Sequence, residues 1–180
     1  MLFRSLTLRT VRTALAADLG PVSLWCAPDT RHRFFRALCV TTGIQCLAQP
    51  VGDLGLRMHA AFVKLCSAGP VLLVGTDCPL MTPAHFQRAA LALHDGADAV
   101  FHPAEDGGYV LVGLRKPHAS LFTAMAWSTD QVMADTRARA LNIGIRMREL
   151  ETLWDVDVAA DLPRLQDLLA QADTGMGGAP

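Results

Sequence analysis

Residues 70–86 read PVLLVGTDCPLMTPAHF. Val71 to Val74 are continuously apolar, the pattern of a strand covered on both faces. The run ends at Gly75, Thr76 and Asp77, and Pro79 turns the chain. Thr82 then supplies a cap and Pro83 the first helical position, so a helix opens there. A strand, a turn and a helix in this order belong to an α/β fold, where ligands bind beyond the carboxyl ends of the strands. Asp77 stands at such an end. A carboxylate there is costly unless its charge is offset. A divalent cation would offset it, and so would a turn in which the carboxylate accepts backbone N–H groups. The residues alone leave both readings open.

The same alternation continues to either side. Leu2, Leu6, Leu8, Val11 and Leu15 have helical spacing, which predicts a helix over 2–18 stopped by Gly20 and Pro21. VSLWCA (22–27) reads as a strand and DTRHRFFRALCVTTG (29–43) as a helix capped by Asp29 and closed by Gly43. IQCLAQ (44–49) is a strand, and 53–69 a helix closed by Gly69. Beyond the helix that starts at Pro83, ADAVFHPA (97–104) and GYVLVGLR (108–115) are strands joined by EDGG, which predicts a local antiparallel element. A helix over 127–144, with Ser128 or Thr129 as its cap, a strand over 145–150 and a terminal helix within 155–172 complete the order. The expected architecture is α/β: a three-layer sandwich with a mainly parallel sheet between helices. One domain should span 1–172, with a flexible tail over 173–180.

Composition narrows the function. Hydrophobic residues make up 51% of the 180 and charged residues 18%, a globular balance. A net charge of −1 marks no nucleic-acid or anionic membrane surface. No apolar run approaches the ~20 residues that span a bilayer. The five cysteines (Cys26, Cys39, Cys46, Cys66 and Cys78) are odd in number and widely spaced, without a CxxC pair. That pattern favours reduced thiols over a disulfide framework or a zinc site, and with it a cytoplasmic location.

Further acids follow strands. Glu105 and Asp106 precede Gly107 and Gly108. This is a hairpin-turn signal, but a hairpin needs one acid and two are present. A glycine pair also permits close approach of a substrate. Asp155 and Asp157 lie two apart in an extended segment, so only one should face a given site, leaving the other to cap the terminal helix. Asp77 with Asp157 would suit Mg²⁺, which takes oxygen ligands from one or two carboxylates. Gln49 ends a strand, and Gly52 and Gly55 flank a helix start whose amides could bind an anion or a base edge. Arg57 could reach a phosphate or lie solvated on the helix.

GTDCPLMTPAHF, PAEDGGYVLVGL, WSTDQVM and DVDVAADL, in this order, resemble a bacterial glycosyltransferase-like family of the nucleotide-diphospho-sugar transferase superfamily. Its fold is the type A glycosyltransferase fold, and some members are associated with arsenosugar biosynthesis. The resemblance covers roughly residues 1–170. Nucleotidylyltransferases of the guanylyltransferase type are similar at greater distance. The resemblance implies that Asp77 and Asp157 hold Mg²⁺ or Mn²⁺. It also implies that Glu105, Asp106, Gly107, Gly108 and Tyr109 line the sugar or acceptor position, with Asp106 as base or acceptor contact. Gln49, Gly55 and Arg57 would approach the nucleotide. The partners implied are a nucleotide-sugar donor and a small-molecule acceptor, with neither nucleic acid nor membrane. The chain departs from the family pattern at Val158 and Ala159, where threonine and proline are common. It also departs at its start, where a first strand and a glycine- and lysine-containing phosphate loop are expected. A gap between VSLWCA and VLLVGT would leave too many buried backbone groups unpaired, so the two strands should close up or drive self-association through exposed edges. The expected activity is a metal-dependent glycosyl transfer. Nucleotidylyl transfer and a non-catalytic truncated relative are the alternatives.

Overall fold

The computed structural model describes residues 2–175. Helix α1 (Leu2–Ala16) buries Leu6, Thr7, Thr10 and Val11 along one face. It leads to β1 (Ser23–Cys26), α2 (Arg33–Thr42), β2 (Gln45–Ala48), α3 (Leu54–Leu65) and β3 (Val71–Val74). Then follow α4 (Pro83–His94), β4 (Ala99–Pro103), β5 (Tyr109–Leu114), α5 (Val132–Asn142), β6 (Met147–Glu149) and α6 (Leu162–Gly175).

Three helix boundaries differ from the sequence reading. The cap of α2 is His32, whose Nδ1 accepts the Phe34 N–H at 3.2 Å. Asp29 lies too early for that role and holds the Arg31 N–H at 2.7 Å instead. Helix α5 starts later than Ser128 and Thr129 suggested. Ser128 takes a left-handed φ of 63°, and the Thr129 hydroxyl donates to the Ala126 carbonyl at 2.8 Å. Both are thereby used in the preceding turn. At the other end, α6 includes residues 173–175 of the expected tail, while 176–180 lie outside the described residues.

The strands form two sheets, β1–β2 and β3–β5–β4–β6. β1 and β2 are parallel, as are β4 and β6, while β5 runs antiparallel between β3 and β4. The EDGG hairpin is therefore the antiparallel element, with Phe101 opposite Val112 and His102 opposite Leu111. Helices cover both faces. On one, Phe86, Ala89 and Leu93 of α4 pack with Val100 and Val110. On the other, Met58 and Phe62 of α3 and Met133 and Ala140 of α5 pack with Phe101, Val112 and Leu114.

Burial is concentrated on β4 and β5. Phe101, Leu111 and Leu114 are fully buried. β3 was expected to be covered on both faces, yet all four of its residues are only half-buried. The cause is its position: β5 pairs with one edge, and among the described residues no strand pairs with the other. The expected direct closure of β1 against β3 is not observed.

Cys39 and Cys46, expected as reduced thiols, are joined in a disulfide between α2 and β2, with Cα atoms 6.3 Å apart. Packing of the helix on its own following strand brings together two cysteines whose spacing suggested nothing. Cys26, Cys66 and Cys78 are free. No helix among the described residues is long and apolar enough to cross a membrane.

Candidate functional site

Four aspartates meet where β3 and β4 end. The segment after β6 carries two of them and is guided there by its backbone. The Leu153 N–H donates to the Pro103 carbonyl at 2.8 Å, the Glu105 N–H to the Leu153 carbonyl at 3.1 Å, and the Val156 N–H to the Asp77 carbonyl at 3.0 Å. These bonds seat residues 153–157 between the end of β4 and the turn after β3. Among the described residues this segment forms one isolated bridge, between Leu153 and Ala104, just past the end of β4. Without regular strand alternation, Asp155 and Asp157 turn toward the same place. Oxygens of Asp106, Asp155 and Asp157 all lie within 4.8 Å of one another.

This overturns the expectation that Asp155 and Asp157 face opposite sides. The capping role expected for one of them falls to Asp161, whose Oδ2 accepts the N–H groups of Asp157 and Val158, each at 2.9 Å. Asp155 is the site residue that sequence reasoning left out. The strict period of a β-strand was the wrong template for a segment with one bridge.

Electrostatics describe the cluster further. Burial pushes the Asp77 carboxyl above its ordinary range, and the nearby Asp106 adds to the shift. Burial, then the charges of Asp157, Asp106 and Asp77, raise Asp155 to about 7. Asp157 is also raised, by burial first and then by Asp106 and Asp77, and it shares a hydrogen bond with Asp106. Like charges this close cannot all ionise unless a cation joins them or protons remain bound. An all-oxygen donor set of this kind suits a hard divalent cation.

Glycines make room for the acids. A Cβ on Gly75 would lie 2.5 Å from Asp77 Oδ1, so only glycine leaves the carboxylate its position. Gly107 has φ +91°, and a Cβ there would lie 2.3 Å from the Asp130 carbonyl oxygen. Its own carbonyl accepts the Met133 N–H at 2.8 Å, which fixes the turn to the start of α5. Asp106 Oδ1 accepts the Gly108 N–H at 2.9 Å.

The remaining sequence-selected residues have structural partners. Glu105 forms a two-point ion pair with Arg164, at 2.7 and 2.9 Å, and that guanidinium stacks over Trp154 at 4.4 Å. Tyr109 packs edge-on to Phe101 and Trp127, and its hydroxyl is buried without a partner among the described residues. Gln49, Gly55 and Arg57 lie at the carboxyl end of β2 and the start of α3, where Gly55 abuts Trp127, the ring that packs on Tyr109. Gln49 Nε2 donates to the Trp25 carbonyl at 3.0 Å, and Arg57 donates to Gln49 Oε1 at 3.3 Å and to the Gly52 carbonyl at 2.9 Å. Gly55 sits where a Cβ would lie 2.4 Å from the Phe122 carbonyl oxygen.

Comparison with solved structures gives the same fold. A protein from Desulfovibrio desulfuricans G20, provisionally described as a nucleotide-diphospho-sugar transferase, superposes with a TM-score of 0.82 at 27% identity. The match covers 92% of this chain and 73% of that one. CMP:2-keto-3-deoxy-manno-octonic acid synthetase in complex with CTP gives 0.65 at 14% identity, over 93% of this chain and 88% of that one. Glucosyl-3-phosphoglycerate synthase from Mycobacterium tuberculosis, in complex with Mn²⁺ and UDP, gives 0.56 at 12% identity, over 89% and 71%. No curated protein sequence matches the chain. Residues 10–129 match a family described as an uncharacterized protein conserved in bacteria, DUF2064. With two thirds of its length inside that match and the nucleotide-diphospho-sugar transferase fold around its acidic cluster, the chain belongs to this family.

Proposed function

We propose that the protein is a metal-dependent transferase that uses a nucleotide-diphospho-sugar donor, in the manner of a glycosyltransferase. The carrying observation is the meeting of Asp106, Asp155 and Asp157 beside Asp77 at the carboxyl ends of the strands. Asp77 and Asp157, with Asp155, would hold Mg²⁺ or Mn²⁺; a cation bound there neutralises charge on a leaving diphosphate. The Mn²⁺ bound in glucosyl-3-phosphoglycerate synthase supports that assignment by analogy of fold. Asp106, held through Oδ1 by the Gly108 N–H, contacts an acceptor hydroxyl from the rim of the cluster, next to Glu105, Gly107 and Tyr109. Gln49 and Arg57, braced against each other beside Gly55, form a fixed platform for the nucleotide. The acceptor is a small molecule.

Nucleotidylyl transfer is the second reading. The higher TM-score of the CTP-bound synthetase favours it, 0.65 against 0.56 for the glucosyl transferase. A triphosphate in place of a diphosphate sugar separates the two. The purified protein with Mn²⁺ should bind UDP-, GDP- or CDP-sugars in titration calorimetry and lose that binding in Asp77→Asn. Binding of nucleoside triphosphates alone would favour nucleotidylyl transfer. Failure to bind either class, with metal bound normally, would favour a non-catalytic relative.

A further inference from the structure

Three chain segments bring the aspartates together. The turn after β3 carries Asp77, the β4–β5 turn carries Asp106, and the segment after β6 carries Asp155 and Asp157. One residue outside that cluster joins the supports of all three. Glu151 follows β6, and its carbonyl lies 2.9 Å from Nδ1 of His102 on β4. A carbonyl can only accept, so this nitrogen carries the proton and donates. The Glu151 carboxylate turns the other way. Its Oε1 meets Nε2 of His85 on α4 at 2.5 Å, and Arg88 of the same helix reaches the same oxygen.

The chemistry of His85 gives this contact its direction. His85 is the third residue of α4, and its Nδ1 accepts the Thr82 N–H at 2.9 Å, which closes the capping box of the helix. An accepting Nδ1 leaves the proton on Nε2, which therefore donates to Glu151. Burial holds the ring below the ordinary imidazole range, against the pull of Glu151, so the neutral form is favoured. Glutamate, common at this position of a capping box, could cap the helix but could not donate to a second carboxylate. The Glu151 carboxylate is nearly half exposed, yet the bond it accepts comes from a buried ring, which packs edge-on to the fully buried His102 with centroids 5.3 Å apart. Residues 151–157 are joined to the chain that runs from Asp77 into α4 by the Val156 N–H on the Asp77 carbonyl, at 3.0 Å, and by Glu151 on His85 and Arg88. The first link lies inside the cluster and the second at the start of the segment. Two separated points fix an orientation where one would leave a pivot.

We propose, resting on the metal-site reading above, that Glu151 is a positioning residue: held by His85, Arg88 and His102, it sets Asp155 and Asp157 opposite Asp77 in the arrangement that takes the divalent cation. Glu151 touches neither the cation nor the substrates. It acts through the direction it gives to the segment that follows it, as the outer partners of metal ligands do.

Amide hydrogen exchange on the metal-free protein and Mn²⁺ titration calorimetry test this together. Glu151→Ala should speed exchange at Leu153 and Val156 about tenfold, while Val112 of the buried hairpin keeps its rate, and should weaken Mn²⁺ about tenfold. Glu151→Gln still accepts from His85 and should return both readings to within about threefold of the parent protein. His85→Glu keeps an acceptor for the Thr82 N–H but sets a second carboxylate against Glu151. It should reproduce Glu151→Ala, and the double variant should bind Mn²⁺ no more weakly than Glu151→Ala alone. Unchanged exchange at Leu153 and Val156 in Glu151→Ala would overturn the proposal. So would a Glu151→Gln variant as impaired as Glu151→Ala. A parent protein that binds no Mn²⁺ would overturn the proposed function, and this role with it. A parent protein that binds Mn²⁺ no more tightly than its Glu151→Ala variant would overturn the role of Glu151 alone.

Discussion

The β4–β5 hairpin and the β1–β2 pair are built from equally apolar sequence and end in opposite conditions. AVFHP and YVLVGL are buried almost throughout. SLWC and QCLA are mostly half-buried or exposed. The difference lies in the neighbours. β5 has a strand on each side and helices on both faces, whereas among the described residues β1 has a strand on one side only. The hairpin also carries Asp106 and presents it to Asp155 and Asp157, so one acid of the cluster is mounted on the most buried pair of strands. Gln49 and Arg57, the residues proposed to meet the nucleotide, follow the less covered sheet.

The largest expected effect breaks the comparison if it fails. Phe101 is fully buried between α3 and α5. Phe101→Ala should destabilise the chain by about 3–5 kcal/mol. Leu24→Ala on half-buried β1 should cost well under half of that, because less apolar area leaves water there. Denaturant unfolding of both variants measures the difference. Equal losses would mean that the two sheets contribute alike.

Gly107 and Gly108 test the hairpin turn itself. Alanine at 107 must adopt φ +91° and meet the Asp130 carbonyl oxygen, so a cost of about 1–3 kcal/mol is expected. Alanine at 108 would approach only the Asp106 side chain, at 3.2 Å, which can give way. Gly107→Ala should therefore lower the melting temperature and weaken Mn²⁺ binding together, and Gly108→Ala should do neither to the same degree.

Next in size is a pH effect. The Asp155 carboxyl titrates at about 7 in the folded chain against an ordinary 3.8. A raised folded value means that the neutral form is the one favoured by folding. Its contribution is full below pH ~4 and is lost as pH rises through about 7. Asp155 is only half-buried, so solvent screening reduces the expected loss to on the order of 1–2 kcal/mol. Metal-free protein should melt at progressively lower temperature from pH 4 to 7.5, and Asp155→Asn should flatten that slope. Added Mn²⁺ should reverse its sign, because the cation favours the ionised form.

These contrasts also show what was legible in the sequence. VLLVGTD, the EDGG hairpin and the glycine-closed helices fixed the strand–helix order, because each signal is local. The split sheet was not legible: the cost of unpaired backbone groups argued for β1 and β3 pairing directly, yet among the described residues the two strands do not pair, and no local pattern tells a strand with one partner from a strand with two. Asp77 and Asp157 could be chosen because both follow strands. Asp155 could not, since its direction depends on the backbone bonds of Leu153 and Val156 to chain segments some fifty and eighty residues away. The His32 cap of α2 escaped for a related reason: histidine is an uncommon cap, and Asp29 looked like the better one.

The smallest expected effect sharpens the boundary of the site. Glu105 sits beside Asp106 in sequence, but its carboxylate is held by Arg164 of α6. The pair is exposed, so Glu105→Gln should cost no more than about 1 kcal/mol, and less in high salt. Arg164 should keep its place through its contact with the Trp154 ring. If Glu105 serves only to tether α6, then Mn²⁺ and nucleotide-sugar affinity should match the parent protein in calorimetry. Transfer to the acceptor should match as well. If Glu105 instead leaves Arg164 to contact an acceptor hydroxyl, as the proposed acceptor position requires, the substitution should raise the acceptor KM while donor affinity stays unchanged. Arg164→Ala separates the two cases. It breaks the tether but frees the carboxylate, so under the tethering role it should resemble Glu105→Gln, and under the acceptor role it should lower the acceptor KM.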